Sequence, residues 1–255
     1  MWFKTGLWFR NKLVTQNQII RWLLKPAIFV AALVPFGRLV SAGYTGNLGA
    51  DPLNEITITT GLWALRFLCI ALAVTPLRRL TGSNSLVRFR RMLGLFAFFY
   101  GSVHLLIYVV ADRMAGLDYP NGIVAWTTVT GLATSVGADV FKRPFITIGF
   151  TAWLCMLPLA LTSTAGMIRR LGGRRWQALH RLVYAAATAG VVHYWCGVKA
   201  DIRPPLMYAV IVGVLLAFRL VWARMHAPAA VRKRSASPAI RATLEPGAGA
   251  GTRES

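Results

Sequence analysis

The side chains best suited to bind a metal or move a proton are four histidines, His104, His180, His193 and His226. Three of them lie in or at the ends of long apolar runs, where an ionisable side chain is a functional-site candidate by default. His226 stands at the junction with a polar tail, and solvation accounts for it. Three cysteines, Cys69, Cys155 and Cys196, also fall in apolar runs. Their odd number, and the lack of C-x-x-C or C-x-x-C-H spacing, argue against a disulfide framework, a zinc site and covalent cofactor attachment. They read as small buried thiols.

What these histidines can do depends on the elements that carry them. The 255 residues are 56% hydrophobic and 15% charged, against roughly 25% charged in an ordinary soluble domain. Several apolar runs reach about 20 residues, the length a helix needs to cross about 30 Å of hydrocarbon. The chain therefore reads as an all-α membrane protein, a bundle of six transmembrane helices. The expected spans are Trp22–Ala42, Ile58–Leu77, Met92–Val110, Phe145–Thr164, Ala178–Val198 and Pro205–Trp222. Residues 1–21 form a basic segment with no clean apolar stretch and no small-residue cleavage site, so a secretory signal is not expected. Residues 22–222 form the membrane domain. Residues 223–255 form a basic tail, rich in Ala, Pro, Arg, Ser and Gly, whose composition predicts disorder.

The net charge of +21 would suggest nucleic acid in a soluble protein. Its distribution points elsewhere. Twenty-one of the 29 basic residues lie in the N-terminal segment, the second–third loop, the fourth–fifth loop and the C-terminal tail. The alternate loops hold Asp51, Glu55, Asp112, Asp118, Asp139 and Asp201. Lys/Arg bias marks the cytoplasmic side, so both termini are expected in the cytoplasm and nucleic acid is not an expected partner; membrane lipid is. An odd number of spans would destroy the alternation. The longest outer loop, 111–144, contains a weakly apolar stretch, Ile123–Val136. It is too short to span and suits an interfacial or re-entrant segment.

Helix rise converts this topology into depth. His104 lies about 18 Å along the third span from Met92, and His193 lies about 20 Å beyond His180 on the fifth. His104 and His193 therefore share one height in the outer half of the membrane, while His180 stays near the cytoplasmic face. Two imidazoles at one height on different helices can clamp one haem iron, an arrangement suited to electron transfer because no iron site remains open for chemistry. The alternative is that each histidine only makes an interhelical hydrogen bond. A second haem would need a partner for His180, and the residues at the matching depth on the third span are Arg90 and Arg91, which are not axial ligands.

Arg66, midway along the second span, calls for an anionic partner, for which a haem propionate is suited. Arg38, near the outer end of the first span, can snorkel to headgroups. Arg174, Arg175 and Trp176, just before His180, could meet a flavin phosphate or a quinone headgroup, or form an ordinary cytoplasmic loop. No G-x-G-x-x-G site is present, so electrons must arrive from another molecule.

The segments "RRMLGLFAFFYGSVHLLIYVVAD" around His104, "KRPFITIGF" at the fourth span, "LALTSTAGMIRRLGGRRWQALHRLVY" around His180 and "HYWCGVKAD" from His193 together resemble the MsrQ (YedZ) family. That family belongs to the wider ferric-reductase-like transmembrane group. The resemblance covers roughly 22–222 and is strongest over 90–201. It implies a bacterial inner-membrane subunit that binds haem b, and FMN as well. It implies electrons passed from quinol or a cytosolic flavin reductase to a periplasmic molybdopterin subunit, MsrP, that repairs methionine sulfoxide in oxidised proteins. The family histidines map onto His104, His180 and His193, with the first and third as the iron-ligating pair. Wider-group members carry four such histidines; the missing fourth leaves the inner region without a second pair, and FMN is one group that would suit it. Cys196 stands where the family pattern leads one to expect an aromatic residue. A stand-alone ferric reductase or quinol-oxidising cytochrome b is the alternative within electron transfer, and a small transporter or membrane scaffold the alternative outside it.

Overall fold

The computed structural model describes residues 18–113, 126–198 and 200–226. Most of the basic N-terminal segment and nearly all of the tail lie outside them, as does 114–125 of the long outer loop. Among the described residues the secondary structure is helical, with no strand. Helix α1 spans Lys25–Thr45 after a π-helical turn, Ile20–Leu24; α2 spans Pro52–Thr81; α3 spans Val87–Ile107 and continues as a π-helical turn, Tyr108–Arg113. Then come α4, Trp126–Lys142, α5, Pro144–Leu161, α6, Ala165–Leu179, α7, Leu182–Gly197, and α8, Arg203–Met225. The compact unit that carries the histidine pair ends at Leu215, within α8.

Local chemistry sets the helix ends. The Asp51 carboxylate accepts the Asn54 N–H at 3.1 Å, and Pro52 follows at the first helical position, where its missing N–H costs nothing. Gly46 and Gly82 close α1 and α2 in the left-handed region, at φ 69° and 68°. Arg78 and Arg79 in the last turn of α2 complement its dipole.

Five of the apolar segments are long enough to cross a membrane: 20–45, 52–81, 84–110, 144–161 and 203–225. The expected fifth span is the exception, since α7 is only 16 residues long. That span was expected from Ala178. The chain instead turns at His180 and Arg181, so the apolar helix begins at Leu182. Two further helices stand where loops were expected. The described part of the outer loop's apolar stretch, 126–136, belongs to α4, and the basic fourth–fifth loop is α6, which breaks at Gly172 (φ 73°, ψ 154°). That conformation is open only to glycine without strain.

The apolar residues sort in the manner of a lipid-solvated bundle. Val30, Val34, Val40, Leu206, Val210 and Val214 are all exposed along α1 and α8, a surface water would not tolerate at this extent. Trp22 and Tyr44 are the most exposed aromatics at the two ends of the first span, at 73% and 90%. They are separated by roughly 33 Å of helix, matching the spacing of the two interfacial aromatic belts.

The core is an aromatic stack between α2 and α3. Phe67 stacks on Phe96 and Tyr100, with centroids 5.5 and 5.4 Å apart, and Trp63 lies 6.3 Å from Tyr100. Tyr100 is fully buried and ties this core to α1. Its hydroxyl donates to the Ala32 carbonyl at 2.8 Å and accepts the Phe36 N–H at 3.1 Å. Those two groups are one helical turn apart on either side of Pro35, so the hydroxyl is inserted where a proline disturbs the ladder.

Candidate histidine pair

The two histidines expected at one height meet in the structure. His104 on α3 and His193 on α7 have ring centroids 6.1 Å apart, with planes at 80°. Each ring is oriented by a backbone carbonyl of the neighbouring helix: His104 Nδ1 lies 2.9 Å from the Thr57 carbonyl oxygen at the start of α2, and His193 Nδ1 lies 2.7 Å from that of Phe145 at the start of α5. A carbonyl only accepts, so each Nδ1 carries the proton and donates it. This fixes the tautomer that leaves Nε2 with its lone pair, the usual outer-shell arrangement of a metal-ligating histidine. Both rings are half-buried.

Geometry tests what such a pair can hold. With metal–imidazole bonds of about 2 Å and about 1 Å from ring nitrogen to ring centre, two imidazoles on opposite sides of one metal have centroids roughly 6 Å apart. The observed separation fits. No cluster of three or more His, Cys, Asp or Glu that could hold a bare ion occurs among the described residues. A metal here would therefore need equatorial ligands from elsewhere, as a porphyrin provides.

His180 does not join the pair. It caps α6, its ring stacked on Trp176 at 3.8 Å with Nδ1 3.1 Å from the Trp176 carbonyl oxygen. Arg90 of α3 is the positive charge beside it, one of the two arginines expected at the matching depth. Helix α7 runs continuously through Gly190, so no kink there brings His180 toward His193.

Arg66 is held on two sides. Its Nε donates to the Tyr208 hydroxyl at 3.1 Å, and its guanidinium carbon lies 4.7 Å from the centre of the Trp63 ring. Tyr194, the residue after His193, packs edge-on against Tyr208 at 6.1 Å. The guanidinium is thus placed beside the α7 turn that carries His193, without a carboxylate partner among the described residues. Arg38, Arg174 and Arg175 are exposed.

Two glycines at the pair escape a residue-by-residue reading of the sequence. A methyl group at Gly149 would lie 2.7 Å from His193 Nδ1 and Cε1, and one at Gly61 would lie 3.1 Å from His104 Nδ1. A signal for them does exist, since both close an I-T-x-G string, Ile58–Gly61 and Ile146–Gly149.

Known proteins resemble the chain along most of its length. Residues 60–191 match the family model described as ferric reductase like transmembrane component, a match that ends just short of His193. A Ralstonia nicotianae protein, the protein-methionine-sulfoxide reductase heme-binding subunit MsrQ, is 51% identical over 198 residues, 77% of this chain and 84% of its own. The protein of the same name from Herminiimonas arsenicoxydans is 48% identical over 203 residues, 79% and 86% of the two chains. That of Xanthomonas euvesicatoria is 46% identical over 220 residues, 84% and 93%. The paired histidines thus stand in a member of the MsrQ family of ferric-reductase-like transmembrane proteins.

Proposed function

We propose that the chain is a haem b electron-transfer subunit of the inner membrane, with His104 and His193 as axial ligands. The observation that carries this reading is the ring pair itself, 6.1 Å apart with both Nδ1 atoms engaged by carbonyls. Relatives named as heme-binding subunits support it. Bound haem would supply a one-electron iron couple. The chain's own residues then do the rest. The Thr57 and Phe145 carbonyls hold the two imidazoles in one tautomer. Arg66, braced by Trp63 and Tyr208, offers its charge to a propionate.

The six-span arrangement with both termini in the cytoplasm is part of the same proposal. It counts α7 as the fifth of the six spans, in addition to the five long apolar segments, and rests on the Lys/Arg bias of alternate loops. The ligand pair then lies in the outer half of the membrane, toward a periplasmic acceptor. That acceptor is an MsrP-like molybdopterin methionine-sulfoxide reductase repairing oxidised periplasmic proteins, in keeping with the relatives' names. Electrons enter from the quinone pool or a cytosolic flavin reductase on the inner side, where His180, Trp176 and Arg90 lie together. FMN in that inner region is the remaining cofactor of the proposal.

The test is spectroscopic. Dithionite-reduced purified protein should show the α and Soret bands of low-spin b haem, and His104→Ala or His193→Ala should abolish them, while His226→Ala should not. Protein made with ample haem that shows no such bands would overturn the reading.

A further inference from the structure

The membrane core repeats itself. The string I-T-x-G at Ile58–Gly61 recurs 88 residues later at Ile146–Gly149. The string G-x-V-H at Gly101–His104 recurs 89 residues later at Gly190–His193. After each histidine the same three residues follow at the same spacing: Val109, Ala111 and Asp112, then Val198, Ala200 and Asp201.

The structure uses the two copies identically. Helix α2 packs chiefly on α3, and α5 chiefly on α7, so each copy is a helical hairpin. In each, the histidine of the second helix donates Nδ1–H to a carbonyl of the first, Thr57 or Phe145, and that carbonyl belongs to the residue four before the hairpin's glycine. Contacts between the hairpins are exchanged as well. A methyl group on Gly190 of α7 would lie 3.7 Å from Leu65 of α2, and one on Gly101 of α3 would lie 3.9 Å from Trp153 of α5. Leu65 and Trp153 each stand four residues beyond their own hairpin's glycine. Residue i meeting j′ while i′ meets j is the signature of a two-fold relation. Both hairpins run in the same sense, so the axis lies along the membrane normal, as in parallel-repeat membrane proteins.

We propose that Gly61 and Gly149 are positioning residues for the two ligand imidazoles, equivalent members of a duplicated hairpin whose pseudo-two-fold axis passes between His104 and His193. The proposal rests on the haem reading above and adds the device that sets ring orientation. A ring donating to a helix carbonyl leans over the backbone of the residue one turn on. Glycine there leaves the space. A Cβ at 2.7 Å forces the His193 ring away from Phe145, whereas one at 3.1 Å asks His104 to give only a few tenths of an ångström. Either shift alters the Nδ1–H bond and the angle between the ring planes, now 80°.

Ring orientation has its own readout. Near-perpendicular axial imidazole planes leave the two iron dπ orbitals nearly degenerate, which gives a low-spin ferric EPR signal with an unusually large maximal g value. Rotation toward parallel planes lowers that value. Gly61→Ala, Gly149→Ala and the controls Gly37→Ala and Gly94→Ala, where added methyl groups meet nothing within 4 Å, would be compared for haem content and EPR. The controls should match wild type. Gly61→Ala should keep haem with a shifted maximal g value, and Gly149→Ala should lose about tenfold in haem retention, in the range of other outer-shell changes. A purely structural role would lower stability and haem content without moving the g value of the haem retained. If Gly149→Ala does not accumulate, Gly61→Ala decides alone. Wild-type g values in the glycine variants would overturn the proposal with the haem reading intact. Wild-type protein without haem would overturn both.

Discussion

Removing one oxygen atom, in Tyr100→Phe, tests how the first span is held to the bundle. The hydroxyl makes two hydrogen bonds to α1, at 2.8 and 3.1 Å, from a fully buried position. Interhelical hydrogen bonds in membrane bundles are worth about 0.6 kcal/mol each on average. Leaving the Ala32 carbonyl and Phe36 N–H unpaired adds a desolvation cost, giving about 1–3 kcal/mol in all. At roughly 2–4 °C per kcal/mol for a chain of this size, Tm should fall by about 2–12 °C. The assay is thermal unfolding in detergent followed by intrinsic fluorescence. A double-mutant cycle sharpens it. In a Pro35→Ala background the turn can close on itself, Phe36 returning its N–H to Ala32, so Tyr100→Phe should then cost less than half as much. Equal losses in both backgrounds, or none in either, would refute the claim that the hydroxyl compensates for the proline.

Replacing Arg66 by Gln removes a positive charge beside the proposed site. The midpoint potential should fall by roughly 50–80 mV if the charge lies about 10 Å from the iron at an effective dielectric constant of about 20; redox titration checks this. Asp139→Ala removes the acceptor of the Tyr108 hydroxyl at 2.7 Å and the partner of Arg143 at 3.5 Å. Amide exchange in the described part of α4 should quicken by about tenfold, an opening cost lowered by about 1.4 kcal/mol. For topology, single cysteines would be placed at Gly49 and at Gly173 in a background lacking Cys69, Cys155 and Cys196. An impermeant thiol reagent on intact cells should label the first and not the second, and the reverse pattern would invert the proposed orientation.

The meeting of His104 and His193 is legible in the sequence because helix rise is constant and the charge bias of alternate loops predicts that their two spans run the same way. The corner at His180 is not, because an apolar run does not announce where a helix starts. Helix α6 is hidden by its content, arginines and glycines around a break at Gly172 that hydropathy reads as loop. Likewise α4 is too weakly apolar to separate from the loop around it. The inserted Tyr100 hydroxyl joins residues 64 and 68 positions apart, a pairing that no local pattern encodes. Gly61 and Gly149 are hidden for a different reason: their role appears only when the two halves are compared with each other.

The duplicated hairpin also orders the protein's assembly in time. Each half brings one ligand, and the second ligand rides on α7, the last but one of the described helices. A nascent chain that has reached the end of α5 therefore holds one of the two imidazoles, and can grip haem from one side only. On the proposed ligation, haem capture waits for the second hairpin to dock, and the cofactor then acts as a rivet between halves that the ribosome delivers separately.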